Sequence, residues 1–380
     1  MGLWTTRAAI RPFGHHADVD TDLGIPGAWP LRGVGPREGV RPGVVWPTRR
    51  DSTGRDGPTA WGTRSGAWRR VGDNLWVPAE VDGSDPAQRV VEACAKLPGW
   101  GGVTGWAALG WLGGVWFVGV DGNGEPMAVP VAVGSGNRMR RRAGLEVSQE
   151  VVLPAHLRRV DGVRLTEPLW SVAYEMRRAT SDEAAVVCFD MAAFNDLVSV
   201  AELTAYVETD LVARRGVERV RRVLPLLEEN SWSPMEPVLR LTWFAEVECR
   251  LLTNHPVYDV RGRFVGTPDV IDPESGVYGM YDGALHLAGD VRQVDVAKEA
   301  AYRALGLEGV TMMAGDLRDR GPFRWRLREA YARAARRPAA DRRWSLENPR
   351  WWLDTTTVAA RRALSPYDRD RLLRHRRQAA

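Results

Sequence analysis

Two kinds of hydrophobic spacing divide the middle of the chain. Apolar and polar residues alternate in short runs over residues 127–170, and apolar residues recur three or four positions apart over residues 169–227. Successive side chains alternate between the faces of a strand, whereas spacings of three and four place side chains on one face of a helix. The pattern therefore predicts short strands and then helices over residues 169–177, 181–191, 199–211 and 216–227.

The beginning of the chain has little periodicity. Residues 1–50 are rich in glycine, proline and arginine, and we predict a disordered leader there. Order is expected from WRRVGDNLWVP, residues 68–78, in which two strand-like runs flank a Gly-Asp-Asn turn signal. A helix is predicted over residues 86–96.

Residues 99–120 carry no charge and are long enough to cross a bilayer. Their four tryptophans are spread along the segment, whereas tryptophan in membrane proteins concentrates at the two interfaces. We therefore favour a folded core over a membrane span. In this interpretation a helix runs from Thr104 to Leu112, a Gly-Gly pair ends it, and a short strand follows at residues 116–118.

A helix is predicted to begin in SWSPMEP, residues 231–237. Ser233 is a candidate N-cap, Pro234 would occupy the first helical position, and Glu236 follows the cap by three residues, which is a capping-box pattern. Strand candidates follow in PVYDV, RFVGTPDVI and VYGMYDG. A helix in VDVAKEAAYRAL, a strand in GVTMMAG and a helix opening near Asp316 complete the segment.

A hairpin is the expected arrangement of the last two of these strand candidates, because an Asp-Pro-Glu-Ser-Gly turn joins them. It would bring Asp269, near the end of one strand, close to Met280 on the next. Side-chain alternation then places Met280 and Asp282 on one face, with Tyr281 pointing away.

Composition narrows the class of protein. The 380 residues are 44% apolar and 26% charged, which is typical of globular domains. The net charge is +4, and only Lys96 and Lys298 are lysine among 52 basic residues. We attribute the arginine excess to coding bias, although it leaves guanidinium groups for phosphate binding. Three widely separated cysteines without metal-ligand spacing and the lack of a secretory signal predict a cytoplasmic protein.

The segment 231–320 resembles endonuclease-domain proteins of actinobacterial type, which have a restriction-endonuclease-like, PD-(D/E)XK core and are related to the very-short-patch mismatch-repair nucleases. Helix, antiparallel strands, acid-bearing hairpin, helix and strand is the order of that core. The residues that carry the resemblance are Ser233 to Glu236, Gly266 to Asp269, Tyr281 to Gly283 with His286, Asp295, and Ala304 to Leu307. Residues 68–230, including VTGWAAL, are similar to regions found in relatives of abortive-infection (type IV toxin–antitoxin) antitoxins.

This resemblance implies a divalent-metal phosphodiesterase site. Its implied Mg²⁺ ligands are Asp269, Asp282 and Glu236, and His286 is the implied proton shuttle or leaving-group stabiliser. Relatives carry a further acid at the position of Met280, and a thioether does not replace a hard carboxylate as a ligand of Mg²⁺. We therefore expect Mg²⁺ binding to be weak or lost.

Each of these residues also has a structural explanation. Glu236 fits a capping box, Asp269 fits a turn at a strand end, and Asp282 belongs to an ordinary Asp-Gly turn dipeptide. His286 fits a hydrogen-bonded structural histidine, and Lys298 fits a solvated helix lysine. Their combination, more than any one of them, favours a site.

The predicted fold class is α/β (α+β), in four parts. They are a disordered leader (1–50), an antitoxin-like α/β and helical domain (51–228), a restriction-endonuclease-like domain (229–336) with a central mixed sheet flanked by helices, and a basic C-terminal helical tail (337–380). In the tail we expect a helix from Ser365 that ends in arginines able to contact phosphates.

Three functional hypotheses stay open. The first is a DNA-binding, regulatory or antitoxin-like protein with an impaired nuclease site, whose partners would be DNA and a cognate toxin. The second is a live Mg²⁺-dependent DNA endonuclease that uses Glu236, Asp269 and Asp282 with help from His286. The third is a structural or partner-binding protein without nucleic-acid contact.

Overall fold

The computed structural model describes residues 41–135, 139, 143–282, 298–374 and 376. By its contacts the chain divides into two compact units, with the division between Arg178 and Ala179. The helices predicted over residues 181–227 therefore group with the C-terminal unit, whereas the predicted domain boundary at residue 228 stays a prediction. The fold is mixed α/β, with several separate sheets.

The N-terminal unit contains a hairpin, a five-stranded sheet and three helices among its described residues. The helices are α1 (Pro86–Cys94), α2 (Gly105–Trp111) and α3 (Pro168–Arg178). The strands are β1 (Trp68–Gly72), β2 (Leu75–Pro78), β3 (Gly102–Val103), β4 (Val129–Ala132), β5 (Leu145–Ser148), β6 (Leu157–Val160) and β7 (Val163–Thr166). The sheet has the order β5-β4-β3-β7-β6 and contains parallel and antiparallel pairs.

Local signals explain most of this unit. The predicted hairpin forms from β1 and β2, and Asn74 in its turn has a positive φ of 56°, a conformation that asparagine tolerates. The predicted helix after Thr104 also forms. The strand predicted at residues 116–118 is wrong, because the chain turns there: the Phe117 N–H donates to the Gly114 carbonyl at 3.0 Å and the Phe117 side chain enters the core.

Residues 41–50 make defined contacts with this unit. The guanidinium of Arg41 pairs with Asp161 at 2.6 Å and lies 4.3 Å from the centre of the Trp111 ring. Thr48 forms a bridge with Trp76. The expected lack of structure therefore does not extend to residues 41–50, and the rest of the predicted leader lies outside the described residues. Within the described ranges, every helix is too short or too polar to cross a bilayer.

The C-terminal unit contains eight described helices and two sheets. The helices are α4 (Asp182–Phe194), α5 (Val200–Thr209), α6 (Val217–Val223), α7 (Met235–Phe244), α8 (298–304), α9 (Gly321–Ala335), α10 (Val358–Arg362) and α11 (Pro366–Leu372). The strands are β8 (Leu252–Thr253), β9 (Val257–Asp259), β10 (Phe264–Gly266), β11 (Val270–Ile271), β12 (Val277–Asp282), β13 (Glu308–Met313) and β14 (Trp344–Ser345).

N-terminal caps set the starts of several of these helices. Ser199 and Glu202 form a capping box at the start of α5, and Ser181 accepts from the Ala184 N–H at the start of α4. Ser365 caps α11 as predicted. Helix α7 differs from its prediction, because it begins at Met235 with Pro234 in the cap position, and Glu236 is turned into the protein.

The four-stranded sheet has the order β13-β12-β11-β8. Strands β8, β11 and β12 are antiparallel, and β13 is parallel to β12. Asp272 shapes the turn of the predicted hairpin, because its carboxylate accepts from the Glu274 N–H at 2.8 Å and from the Ser275 hydroxyl at 2.7 Å. The strand predicted as RFVGTPDVI is instead two strands, and β10 belongs to a second sheet with the order β10-β9-β14.

Two arginines attach the C-terminal helices to α4. Arg361 is fully buried and binds Asp196 at 2.6 Å and the Ala193 carbonyl at 2.7 Å. Arg376 is buried and donates to the Phe194 carbonyl and to the side-chain oxygen of Asn230, each at 3.0 Å. The expectation that the basic tail contacts phosphates is therefore wrong for Arg376, whose guanidinium is used inside the protein.

Candidate functional site

Two carboxylates lie close together where α7 begins and the β11–β12 hairpin ends. Glu236 comes from the first turn of α7, and Asp269 directly precedes β11. The hairpin pairs Val270 with Gly279, and continuing this register sets Asp269 opposite Met280, as the sequence predicts. The charges of the two carboxylates influence each other, so helix and hairpin together form an acid pair, Glu236 and Asp269.

Glu236 is 4% exposed and surrounded by hydrogen-bond donors. It accepts from the Trp232 N–H at 2.7 Å, from the side-chain amide of Asn254 and from the hydroxyl of Ser233. Burial raises the pKa of Glu236, and the negative charge of Asp269 raises it further. The predicted capping box with Ser233 as N-cap does not form, because Glu236 accepts from the Trp232 N–H instead of the Ser233 N–H, and its carboxylate ties α7 to Asn254.

Asp269 is partly buried at the end of the same hairpin. Its Oδ2 accepts from the Tyr281 N–H at 2.6 Å, and its carbonyl accepts from the Asn254 N–H at 3.0 Å. Burial raises the pKa of Asp269, while the Tyr281 N–H and the charge of Lys298 on α8 oppose that rise. Lys298 is exposed on α8, as predicted for a solvated helix lysine, and its charge reaches Asp269.

Met280 is not part of the acid pair. Its side chain packs against a buried cluster of aromatic and aliphatic residues from β9, β11, β12, α8 and the start of β13. The members of that cluster are Val257, Ile271, Tyr278, Tyr302 and Leu307. A carboxylate in this place would lose solvation against apolar neighbours, whereas a thioether fills the space without that penalty.

Of the other predicted site residues, the structure describes Asp282. Asp282 is exposed at the last position of β12. His286 and Asp295 lie outside the described residues, so the roles implied for them stay predictions. Among the described residues, no group of three or more acidic, histidine or cysteine side chains is arranged to hold a metal ion.

The donor set does not fit Mg²⁺. A magnesium site needs carboxylate oxygens that are free to face the ion in near-octahedral geometry. Here three donors converge on Glu236, one oxygen of Asp269 is held by the Tyr281 N–H, and Met280, which packs against the apolar cluster, adds no hard ligand. The described residues therefore do not form a Mg²⁺ site.

Sequence reasoning missed the residues that hold the acid pair in place. Asn254 links the two residues of the pair, because its N–H donates to the backbone carbonyl of Asp269 and its side-chain amide donates to the carboxylate of Glu236. Asn230 accepts from the Trp232 indole at 3.1 Å and from Arg376 at 3.0 Å. The one local signal is that Asn254 stands in a Thr-Asn-His-Pro turn and has a positive φ of 48°. Its partners are distant in sequence, so no periodic pattern reveals them.

A cavity of about 530 Å³ adjoins the acid pair. Trp232 and Asn254, which bind Glu236, line this cavity together with Asn230, which binds Asn254. Aromatic side chains of β9, β10 and the loop after β14 form much of the remaining wall. These side chains are Tyr258, Phe264, Trp351 and Trp352. We call this space the aromatic cavity.

The raised pKa values of the acid pair predict a pH-dependent stability. Between the ordinary carboxyl range near pH 4 and the raised pKa values, the folded protein keeps protons that the unfolded chain has released. The free energy of unfolding therefore falls as the pH rises through this window. We expect Asp269→Asn, which retains an acceptor for the Tyr281 N–H, to be more stable than the wild type by ~1 kcal/mol at pH 8 and by less at pH 5.

Urea unfolding at the two pH values measures this effect. Asp282→Asn is the matched control, because Asp282 is exposed on the adjoining strand, and it should leave the difference between the two pH values unchanged. An Asp269→Asn variant whose stability differs from the wild type by the same amount at both pH values would contradict the paired, buried state of Asp269.

Comparisons of the chain with protein-family models, curated proteins and solved structures give no match.

Proposed function

We propose that the protein binds DNA through an endonuclease-like domain, residues 229–336, whose cleavage site is impaired. The observation that carries this proposal is the acid pair: a carboxylate from α7 and one from the hairpin are close enough for their charges to interact, while the methionine opposite Asp269 packs against an apolar cluster. The resemblance assigns metal-binding acids to these two positions, and the hydrogen bonds to Glu236 and Asp269 leave fewer oxygens free for a hard metal ion.

The order of elements supports the proposal. Helix α7, the antiparallel strands β8, β11 and β12, helix α8 and the parallel strand β13 follow one another in the C-terminal unit. This is the order expected of a restriction-endonuclease-like core. Strands β9 and β10 are an addition, because they leave the sheet and form the second one with β14.

The electrostatics of the acid pair favour binding over cutting. The charge of Lys298 acts on Asp269, and Arg376 acts as a cation near Glu236 although burial lowers its pKa to about 9. Nearby cations and raised carboxyl pKa values both reduce the negative charge that would otherwise repel a phosphate. Arg263, whose side chain is 73% exposed and pairs with Asp259 at 2.7 Å, would be one surface guanidinium for the backbone of DNA.

A regulatory or antitoxin-like role is the form of this function that we propose, with a cognate toxin as the second partner. It rests on the sequence resemblance of residues 68–230 and on the impaired site. A protein that binds DNA without cutting it can regulate by occupying its DNA site. Co-purification of the chain with a toxin encoded next to it is the observation that would test this part.

DNA affinity as a function of salt tests the proposed function. Fluorescence anisotropy with a labelled duplex should give binding that weakens about tenfold or more between ~50 and ~200 mM KCl, because phosphate contacts release counterions. A chain that binds no DNA at low salt would contradict the proposal and favour a structural or partner-binding role.

A live endonuclease is the second candidate, and the positions of Glu236 and Asp269 in the sequence favour it. Glu236 and Asp269 stand at positions that the resemblance assigns to metal ligands. A bound cation would reduce the electrostatic repulsion between their carboxylates. In that case the binding of DNA would have to displace the donors that now converge on Glu236, so that Mg²⁺ could bind there.

A further inference from the structure

We propose that the aromatic cavity takes an unpaired nucleobase of a DNA strand, a site for single-stranded nucleic acid beside the acid pair. This inference rests on the proposed DNA binding and names the form of DNA that this site accepts. Four observations carry it: the size of the cavity, its aromatic walls, its charge and its position.

The size suits a single nucleotide. A cavity of about 530 Å³ lies within the range of small-molecule sites, roughly 300–1,000 Å³. It is therefore large enough for one base with its sugar, and too small for a base pair with its two backbones.

The walls offer flat aromatic faces in contact with solvent. Trp351 is 77% exposed and Phe264 is 61% exposed, although exposing large aromatic side chains to water is unfavourable. Phe264 is supported from behind by an edge-to-face contact with the buried ring of Tyr258, whose centroid lies 6.1 Å away. Exposed aromatic rings that are held in place are what proteins use to stack unpaired bases.

The charge of the residues that line the cavity disfavours cationic ligands. Among the described residues that line the cavity, none is acidic, and Arg371 is cationic. The side chain of Arg371 is 56% exposed, pairs with Asp368 at 3.4 Å and lies 5.9 Å from the centre of the Tyr367 ring, so its guanidinium is at the surface. A cationic ligand would find no counter-charge among these lining residues, whereas a nucleotide would place its phosphate near Arg371 and its base among the aromatic rings.

The position connects the cavity to the acid pair. Asn230 and Asn254 line the cavity and belong to the hydrogen-bond network of Glu236. Asparagine amides can donate to and accept from the polar edge of a base. A strand whose base enters the cavity would therefore carry its backbone past Glu236 and Asp269, where the endonuclease-like core would hold a phosphodiester.

Binding of a labelled twelve-nucleotide single strand measures the inference. Trp351→Ala and Phe264→Ala should each weaken its binding about tenfold, since stacking on one aromatic side chain contributes on that scale. Trp325→Ala is the matched control, because Trp325 is 60% exposed on α9 and does not line the cavity, and it should leave the affinity unchanged. Both cavity residues are exposed, so their replacement leaves the core intact.

Two further ligands separate the inference from the proposed function. An abasic phosphodiester strand of the same length keeps the charge and removes the bases; it should bind more weakly than the normal strand and should not respond to Trp351→Ala. The inference would be overturned if the wild type bound the normal and the abasic strand equally well. It would also be overturned if Trp325→Ala lost as much affinity for the normal strand as Trp351→Ala and Phe264→Ala. A wild type that binds duplex but not single-stranded DNA would overturn it while the proposed function stands, and binding to neither would contradict both.

Discussion

Replacing Asp190 with alanine is expected to lower the free energy of unfolding of the C-terminal unit by about 3–5 kcal/mol at pH 8. Asp190, on α4, is fully buried, and its carboxylate accepts from the guanidinium of Arg240 on α7 at 2.9 Å, from the Ser231 hydroxyl at 2.7 Å and from the Glu228 N–H at 3.0 Å. Burial raises the pKa of Asp190 to about 7, so the residue is charged at pH 8. Its removal would leave Arg240, 4% exposed, as a buried cation without its carboxylate.

Two variants make this prediction specific. Asp182 lies at the start of the same helix and pairs with Arg222 at 2.6 Å, but its side chain is 41% exposed. Asp182→Ala should therefore cost only about 0–1 kcal/mol. In the double variant Asp190→Leu/Arg240→Met, both charges are removed, and most of the lost stability should return. A cost for Asp190→Ala no greater than that for Asp182→Ala, measured by urea unfolding, would contradict the ionic link between α4 and α7.

The variant Trp243→Ala is expected to lose about 3–5 kcal/mol of unfolding free energy, because it removes the largest side chain between α7 and the hairpin. Trp243 is fully buried, and its indole donates to the Tyr331 hydroxyl on α9 at 3.0 Å. Its ring lies against Gly279, where an added Cβ would come within 2.6 Å of the indole. Trp243 therefore packs against β12, the strand that carries Met280.

Trp243→Phe and Trp325→Ala provide the comparison. Phenylalanine fills most of the space and should cost less than half as much, whereas Trp325, exposed on α9, should change stability by less than about 0.5 kcal/mol. Thermal unfolding measures all three variants. A Trp243→Ala protein as stable as Trp325→Ala would show that the indole does not pack α7 onto the hairpin.

Short-range features of the fold were predictable from the sequence. The turn at Asn74, the cap at Ser199 and the hairpin around Asp272 each depend on side chains that hydrogen-bond or bend the backbone within a few residues. The closeness of Asp269 and Met280 follows from the same logic, because a turn of known length sets the register of the strands it joins.

Long-range features were not predictable in this way. A strand at residues 116–118 fits the apolar run, yet the chain turns there to bury Phe117. The run RFVGTPDVI divides between two sheets, because β10 pairs with β9 whereas β11 pairs with β8 and β12. Tertiary packing decides whether such apolar runs form a strand, and the periodicity of the sequence carries no information about that packing.

The candidate site shows the same division. The acid pair could be anticipated, since Glu236 and Asp269 stand at element ends that the hairpin and helix bring together. The bridge through Asn254 and the aromatic cavity could not, because each joins residues that are distant in sequence: Asn254 binds Glu236, and Trp351 lines the same cavity as Tyr258.

The most direct test of the account is incubation of supercoiled plasmid with the protein and Mg²⁺ or Mn²⁺, beside the Asp269→Asn variant, at a protein concentration that binds the DNA. The account predicts that the plasmid is bound and stays supercoiled with either protein, because Met280 and the hydrogen-bonded Glu236 leave no complete set of metal ligands. Nicking or linearisation by the wild type that disappears in Asp269→Asn would contradict it and would identify the protein as a working endonuclease.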